Sequence, residues 1–267
     1  MNMNKPQFKE YKEWLKEKHK IEISDGTNKH YLSVTERIKN DFEVSGFWTQ
    51  LTKNLKEYGA EYYTDKKYDL FMPVIPEFET ELYIKSFKSF FFKTFRKNIL
   101  ENELWPDEPK DGWILPDNWF TKIDDFIRTM FAVKYLDGVR FMIEKISSLC
   151  NQCSMELKDI DYEAKEEGYY AVHLYPKQEF EIPRIHLGTE KINVKIEIQL
   201  TTQLQEAIRR LLHKYYEKRR VERREEYVKW QWNYESDEFI LNYLGHILHY
   251  VEGMIMEIRE KQTEETL

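Results

Sequence analysis

The sequence predicts an α+β fold: a mixed central sheet flanked by helices, with helical elaborations at its N- and C-terminal ends. Three observations carry this reading. Val194–Leu200 alternates strictly, with Val194, Ile196, Ile198 and Leu200 on one face and Lys195, Glu197 and Gln199 on the other, as in a half-buried strand. Apolar stripes at helical spacing occupy both ends of the chain. Between them, short helical and extended patterns alternate. The boundaries expected are an N-terminal helical region at 1–78, a mixed α/β domain at 79–228, and a C-terminal helical extension at 229–267 that packs on it.

Each element has its own warrant. From Lys5 to Asp69 the pattern is helical, with Val34, Ile38 and Phe42 as one stripe and Phe47, Leu51, Leu55 and Tyr58 as the next. Pro73 and Pro76 close this region. The middle predicts a lysine-rich helix, a helix at Ile123–Phe131, and strands near Gly138–Ile143, Tyr169–Leu174 and Val194–Leu200. Glu101–Trp119 holds three prolines and three tryptophans and reads as an ordered loop whose indoles pack on the body. Thr202-Gln203-Leu204-Gln205 has the form of a capping box that starts a helix. Leu204, Ile208, Leu211 and Tyr215 continue it. Ile240, Leu244, Ile247, Val251, Met254 and Ile258 form the last stripe.

Composition excludes several classes. Of the 267 residues 41% are hydrophobic and 15% aromatic, enough for a large core and too many for a disordered chain. No run approaches the roughly 18 apolar residues of a membrane span. Met1–Lys20 is polar and lysine-rich, unlike a secretory signal, and a cytoplasmic protein is expected. The net charge of -7 opposes a surface coated for nucleic acid, although 41 Lys and Arg leave room for a basic patch. Cys150 and Cys153 form a lone C-x-x-C without the partners of a zinc or redox site. No histidine stands next to an aspartate. His246 and His249 lie three apart on one helix, spaced for a metal but more simply read as satisfied helix histidines.

Three constellations in the middle carry candidate chemistry. Lys85, Ser89 and Lys93 recur every four residues, so a helix presents them on one side, suited to polyphosphate or to solvent. In Gly168–Leu174, alternation sets Tyr169 and His173 on one face, where a tyrosine can stack a base or pair across strands. Asp137-Gly138-Val139-Arg140 opens the expected strand near Gly138–Ile143; Asp137 suits a metal and Arg140 a phosphate, and a surface turn with an ion pair is the plainer alternative.

In this order and spacing the motifs resemble the RelA/SpoT nucleotidyltransferase family, the alarmone synthetases, over roughly Leu82 to Lys218. Lys85, Ser89 and Lys93 occupy the last three fixed places of the family's Arg-x-Lys-x-x-x-Ser-x-x-x-Lys loop for ATP. Gly138 and Arg140 match the end of Asp-x-x-Gly-x-Arg. Tyr169 and His173 match Gly-Tyr-x-x-x-His, whose tyrosine stacks the acceptor's base. Glu197 and Gln199 match Glu-x-Gln, whose glutamate binds Mg²⁺ and activates the attacking hydroxyl. His213 matches the histidine of the next helix. Tyr83, Tyr135 and Thr201 depart from the family's arginine, magnesium-binding aspartate and second arginine. Asp137, two residues beyond Tyr135, faces the same way in an extended strand but roughly 6–7 Å further along.

The resemblance implies a nucleotidyltransferase-type sheet and transfer of the β,γ-pyrophosphate of ATP to the ribose 3′-hydroxyl of a purine nucleotide, giving a ppGpp-type alarmone of the stringent response. It implies Mg²⁺ held by Asp137 and Glu197, phosphates met by Lys85, Lys93 and Arg140, and an acceptor met by Tyr169, His173, Gln199 and His213. Two other functions stand beside it. A toxin-like relative would place pyrophosphate on the 3′ end of tRNA, using Lys214, Lys218, Arg219, Arg220, Arg223 and Arg224 to hold RNA, although interleaved glutamates oppose this. A degenerate, non-catalytic nucleotide-binding protein would explain the three departures. A protein antitoxin, or self-association through the C-terminal helices, completes the expected partners, with no membrane.

Overall fold

In the computed structural model, residues 5–71, 81–184, 188–211 and 229–264 are described, with side chains up to 262. They form two compact units interleaved along the chain. One is drawn from Met1–Thr49, Glu81–Thr129 and Pro176–Glu197, the other from Gln50–Thr80, Met130–Tyr175 and Ile198–Leu267. The class is α+β, with a mixed five-stranded sheet and flanking helices.

The first unit begins with α1 (Tyr11–His19) and α2 (Asp25–Glu43) and holds β1 (Tyr83–Ile84) and α4 (Phe87–Phe95), followed by a π-helical turn at Arg96–Leu100. Helix α4 has two faces. Phe90, Phe91 and Phe95 are buried with Tyr11, Tyr31, Trp119 and Phe126 in an aromatic core, and each buried ring contributes on the order of 2–3 kcal/mol. Asn98 ties the following loop to this core: its amide donates to Tyr11 Oη (2.8 Å) and Ile114 O (2.9 Å) and accepts from Ile114 N (2.9 Å). The Glu101–Trp119 segment is ordered as expected. Trp113 lies 5.2 Å from Trp14, and the Lys18 ammonium sits 4.4 Å above Trp113. The unit also holds the short α5 (Trp119–Lys122), the head of β2 (Ile127–Val133) and the hairpin β5 (Lys177–Pro183)–β6 (Thr189–Lys195).

The second unit holds α3 (Gly46–Lys66), α6 (Leu136–Gln152), β3 (Ile160–Ala164), β4 (Tyr170–Leu174), β7 (Glu197–Thr202), a helix α7 described over 203–211, and α8 (Asp237–Glu264). The sheet runs β1-β2-β7-β4-β3, and both β2 and β7 pass from one unit into the other. Thr202 caps α7 through its hydroxyl, which accepts from Gln205 N at 3.3 Å.

Three expectations are corrected. The helix at Ile123–Phe131 is the entry and body of β2, whose Ile127, Thr129, Phe131 and Val133 are buried while Arg128, Met130 and Ala132 are less so. That period of two decides for strand. The strand at Gly138–Ile143 is helix α6, with Gly138, Met142, Ile146 and Leu149 buried at helical spacing. Gly138 packs closely there: a Cβ would press on Leu70 and Val133 side chains. The strand at Val194–Leu200 breaks at Ile196, where the chain leaves the β5–β6 hairpin and enters the sheet as β7.

The last helix docks by a face other than the one its apolar period marks. Ile240, Leu244, Ile247, Met254 and Ile258 are exposed, whereas Asn242, Glu252 and Arg259 are buried. A polar seam holds it. Tyr170 Oη meets His246 Nδ1 at 2.8 Å, the Tyr170 ring stacks on His249 at 3.7 Å, and Thr202 Oγ1 donates to Glu252. His246 is thus a satisfied helix histidine, its other nitrogen meeting Glu166 O at 2.9 Å, while His249 lies with Nδ1 3.5 Å from Glu252. Burial raises the Glu252 carboxyl above its ordinary range, against Thr202 and His249. Gly245 meets Gly168, which turns with φ +78°.

A Cβ at residue 245 would overlap the Gly168 carbonyl oxygen, a backbone atom. Gly245→Ala is therefore expected to cost about 2 kcal/mol or more in urea unfolding, despite the better helix propensity of alanine. A loss below about 0.5 kcal/mol would show that the close approach is not a constraint.

Candidate functional site

The chemistry-bearing residues of the first unit gather at the head of β2. Lys85 is fixed by its backbone: its N–H donates to Phe126 O (2.8 Å) and its carbonyl accepts from the buried Tyr31 hydroxyl (2.8 Å). Ser86 then caps α4, accepting from Ser89 N at 3.3 Å, and its hydroxyl donates to Ser89 Oγ at 3.0 Å. The aromatic face of α4 is committed to the core, so Lys93 is turned to the other side. Lys85 Nζ lies 2.6 Å from Asp125 Oδ2, and Lys93 Nζ lies 2.9 Å from Asp125 Oδ1. One carboxylate is gripped by two ammonium groups on its two oxygens. Ser89 is exposed beside them.

The surroundings are strongly positive. Burial lowers Lys85, opposed by Asp125, while Lys93 and Arg128 push the same way as burial. Burial alone would raise the Asp125 carboxyl, but Lys93 and Lys85 outweigh it and hold it at about 2. Asp124 is raised by burial and by Asp125, against the pull of Lys195, Lys97 and Lys93. Lys195, the last residue of β6, stands 3.8 Å from Asp124. Four cations (Lys85, Lys93, Lys97 and Lys195) thus act on two carboxylates, and Arg128 adds its charge beside Lys85. Such an excess, half-shielded from water, favours a polyanion. Tyr83, exposed on the edge strand β1, is the register partner of Arg128.

Glu197 opens β7 and is buried, as are Gln199 and Thr201 on the same face. The polar side of this strand, expected to face solvent, is inside. In the second unit, His173 is the register partner of Gln199. Its ring nitrogens meet two phenols, Tyr169 Oη at 3.2 Å and Tyr175 Oη at 3.5 Å. Tyr169, His173 and Gln199 therefore share one patch. Thr201, at the position of a family arginine, donates to Tyr170 O at 3.1 Å.

Asp137 and Arg140 are placed differently from their expected strand. Both lie in the first turns of α6, Arg140 exposed. Asp137 is held by Arg259, with Nη1–Oδ1 3.0 Å and Nη2–Oδ2 3.4 Å. The Arg259 guanidinium itself is stacked over Tyr68 at 3.9 Å and Tyr135 at 4.4 Å. His213, Lys214, Lys218, Arg219, Arg220, Arg223 and Arg224 lie outside the described residues. Sequence reading missed Asp124, Asp125, Lys97 and Arg128. The signals were an acidic pair just before the alternating Ile127–Val133, and Lys97 as the next member of the Lys85, Ser89, Lys93 series.

No protein-family model matches this sequence, and no curated protein matches it. Solved structures do show the same fold. A GTP pyrophosphokinase family protein from Streptococcus pneumoniae is 16% identical, aligned over 81% of this chain and 89% of its own, with a TM-score of 0.51. Small alarmone synthetase 1 from Bacillus subtilis, bound to its product pppGpp, is 16% identical over 84% and 97%, with a TM-score of 0.52. A further structure of that synthetase gives 18% identity over 81% and 92%, with a TM-score of 0.50. At these identities the likeness is one of fold.

Lys93→Gln removes one of the two ammonium groups on Asp125. The Asp125 carboxyl is then expected to titrate clearly above its present value of about 2, followed by carboxyl-carbon NMR. An unchanged titration would mean that Lys93 does not grip it in solution.

Proposed function

We propose that this chain is a pyrophosphotransferase that moves the β,γ-pyrophosphate of ATP to the ribose 3′-hydroxyl of a purine nucleotide. The observation that carries the reading is the cationic cluster around Asp124 and Asp125, on a fold shared with pyrophosphokinases. Lys85, Lys93 and Arg128 are the residues for the phosphate oxygens, with Lys97 and Lys195 adding charge. Tyr83 offers an aromatic face to the donor's base next to the Arg128 guanidinium. Tyr169, His173 and Gln199 are the proposed contacts of the acceptor.

The residues at the head of β2 do not by themselves fit Mg²⁺: Lys85 and Lys93 take both Asp125 oxygens, and Lys195 lies 3.8 Å from Asp124. Asp124 and Asp125 supply hard oxygen donors, and burial raises the Asp124 carboxyl against the pull of Lys195, Lys97 and Lys93. Among the described residues no three His, Cys, Asp or Glu side chains form a metal cluster. Mg²⁺ ordinarily asks for one or two carboxylates, the rest coming from phosphates and water. Asp137 is likewise taken, because Arg259 meets both its oxygens. When bound, the ion would supply positive charge to the phosphates.

The step follows from charge. The acceptor 3′-hydroxyl attacks the β-phosphorus, the bond from that phosphorus to the AMP oxygen breaks, and Glu197 accepts the hydroxyl proton. The lysines and Arg128 offset charge on the phosphate oxygens as AMP leaves. Burial of Glu197 suits a proton acceptor kept from bulk water. The reading is tested by incubating the chain with γ-labelled ATP and GDP, GTP, ATP or deacylated tRNA. Label in a new nucleotide is expected. Label in RNA would favour the toxin-like reading, and label nowhere would leave a binding protein.

Two variants sharpen the test. Glu197→Gln, with the fold retained by circular dichroism, should lose at least ~10²-fold in turnover; wild-type turnover would remove Glu197 from the chemistry. Tyr169→Ala should raise KM for the acceptor far more than for ATP, at a cost of ~1–3 kcal/mol. Equal effects on both substrates, or none, would make Tyr169 a packing residue.

A further inference from the structure

Helix α8 carries two patterns on two sides. Gly245, Glu252 and Arg259, spaced by seven, are buried together with Asn242 against the helix's own unit. Ile240, Leu244, Ile247, Val251, Met254 and Ile258 step alternately by four and three residues, the a/d spacing of a coiled-coil seam. A helix docked on one body ordinarily buries such a stripe. Here five of the six are exposed, from 36% at Leu244 to 61% at Ile240, and Val251 is half-buried. Tyr250, at 72% exposure, widens the stripe near its middle. From Ile240 to Ile258 it runs roughly 27 Å. A continuous apolar stripe of that length in water marks an interaction surface, and its a/d period asks for another helix.

The seam is its own complement. Its steps of four and three read the same in both directions, so a second α8 laid antiparallel sets Ile240 against Ile258, Leu244 against Met254 and Ile247 against Val251 of the second copy. Each is an a position facing a d position. Asp237 and Lys261 stand three residues beyond the two ends of the seam and continue the same register. The antiparallel pair therefore closes each end with Asp237 of one copy against Lys261 of the other. A parallel pair would set aspartate on aspartate and lysine on lysine, and would align the two helix dipoles. Lys261 also meets Glu257 of its own helix at 2.6 Å, but both are exposed, and such a pair holds the ammonium only weakly from a second carboxylate.

We infer that the exposed seam of α8 is the interface of a symmetric dimer, in which α8 of one copy packs antiparallel on α8 of a second copy about a two-fold axis level with His249. An isologous contact needs one patch that complements itself, and this seam does so in both its apolar steps and its end charges. The polar side of the helix holds the fold, and the apolar side holds the second copy. That division explains why the helix docks by Asn242, Glu252 and Arg259 and leaves its isoleucines outside. The dimer does not depend on the reaction proposed above.

The test is sedimentation velocity of the full chain at low salt, from about 1 to 100 µM. Wild type should sediment as a dimer within that range. Ile247→Glu, with its fold checked by circular dichroism, places two carboxylates in the middle of the seam and should raise the dimer Kd at least about 100-fold. Asp237→Lys should raise it about threefold or more, and Asp237→Lys combined with Lys261→Asp should return it to near the wild-type value. That rescue is expected of the antiparallel pair alone, because the double reversal leaves a parallel pair with like charges at both ends. If Ile247→Glu does not fold, the charge reversals decide by themselves. A wild type that stays monomeric throughout overturns the inference, and so does a dimer that survives Ile247→Glu. A double reversal no tighter than Asp237→Lys overturns it as well.

Discussion

A carboxylate held by two lysines at the head of a buried strand is the interaction on which the candidate site depends. Burial alone would raise the Asp125 carboxyl, and Lys93 and Lys85, one on each of its oxygens, outweigh it and hold the group ionised. Everything around serves the grip. Tyr31 and Phe126 fix the Lys85 backbone, Ser86 starts the helix at the right residue, and the phenylalanines of α4 decide which way Lys93 faces. The aromatic core of the first unit is thus also the mount of its charges.

The same economy appears in β7. Glu197, Gln199 and Thr201 are all buried on one face, while Ile198 and Leu200 fill the other. A strand buried on both faces and polar on one is costly unless those groups are met by partners. His173 stands opposite Gln199 in register, and Thr201 bonds the Tyr170 carbonyl. The seam from Tyr170 through His249 and Glu252 to Thr202 then anchors α8, and Thr202 also caps the helix that follows the strand.

Much of this was legible in the residues. Lys85, Ser89 and Lys93 could be read because i, i+4 spacing projects groups from one side of a helix wherever the helix lies. The Thr202 cap and the Tyr169–His173 pair were local in the same sense. The Asp137-Gly138-Val139-Arg140 run was misread because a short motif carries no period of its own. Its glycine answers to packing on Leu70 and Val133, long-range neighbours and a preceding strand that spacing alone does not reveal. The apolar stripe of α8 misled in the opposite way. Its period is genuine, but the buried face is the polar one, held by pairs such as Thr202–Glu252 and Asp137–Arg259 that join residues far apart in sequence. Asp124 and Asp125 were overlooked because an acidic pair before a strand is ordinary until three-dimensional structure surrounds it with lysines.

The central claim is that the cluster at Asp125 serves transfer of a pyrophosphoryl group, not of a single phosphoryl group. Phosphorus-31 NMR of the chain with ATP, Mg²⁺ and a purine nucleotide acceptor tests it most directly. The account predicts that ATP is consumed with equal amounts of AMP and a nucleotide carrying a new 3′-diphosphate. Conversion of ATP to ADP with phosphate or a phosphorylated acceptor, or no consumption with any purine acceptor, would contradict it.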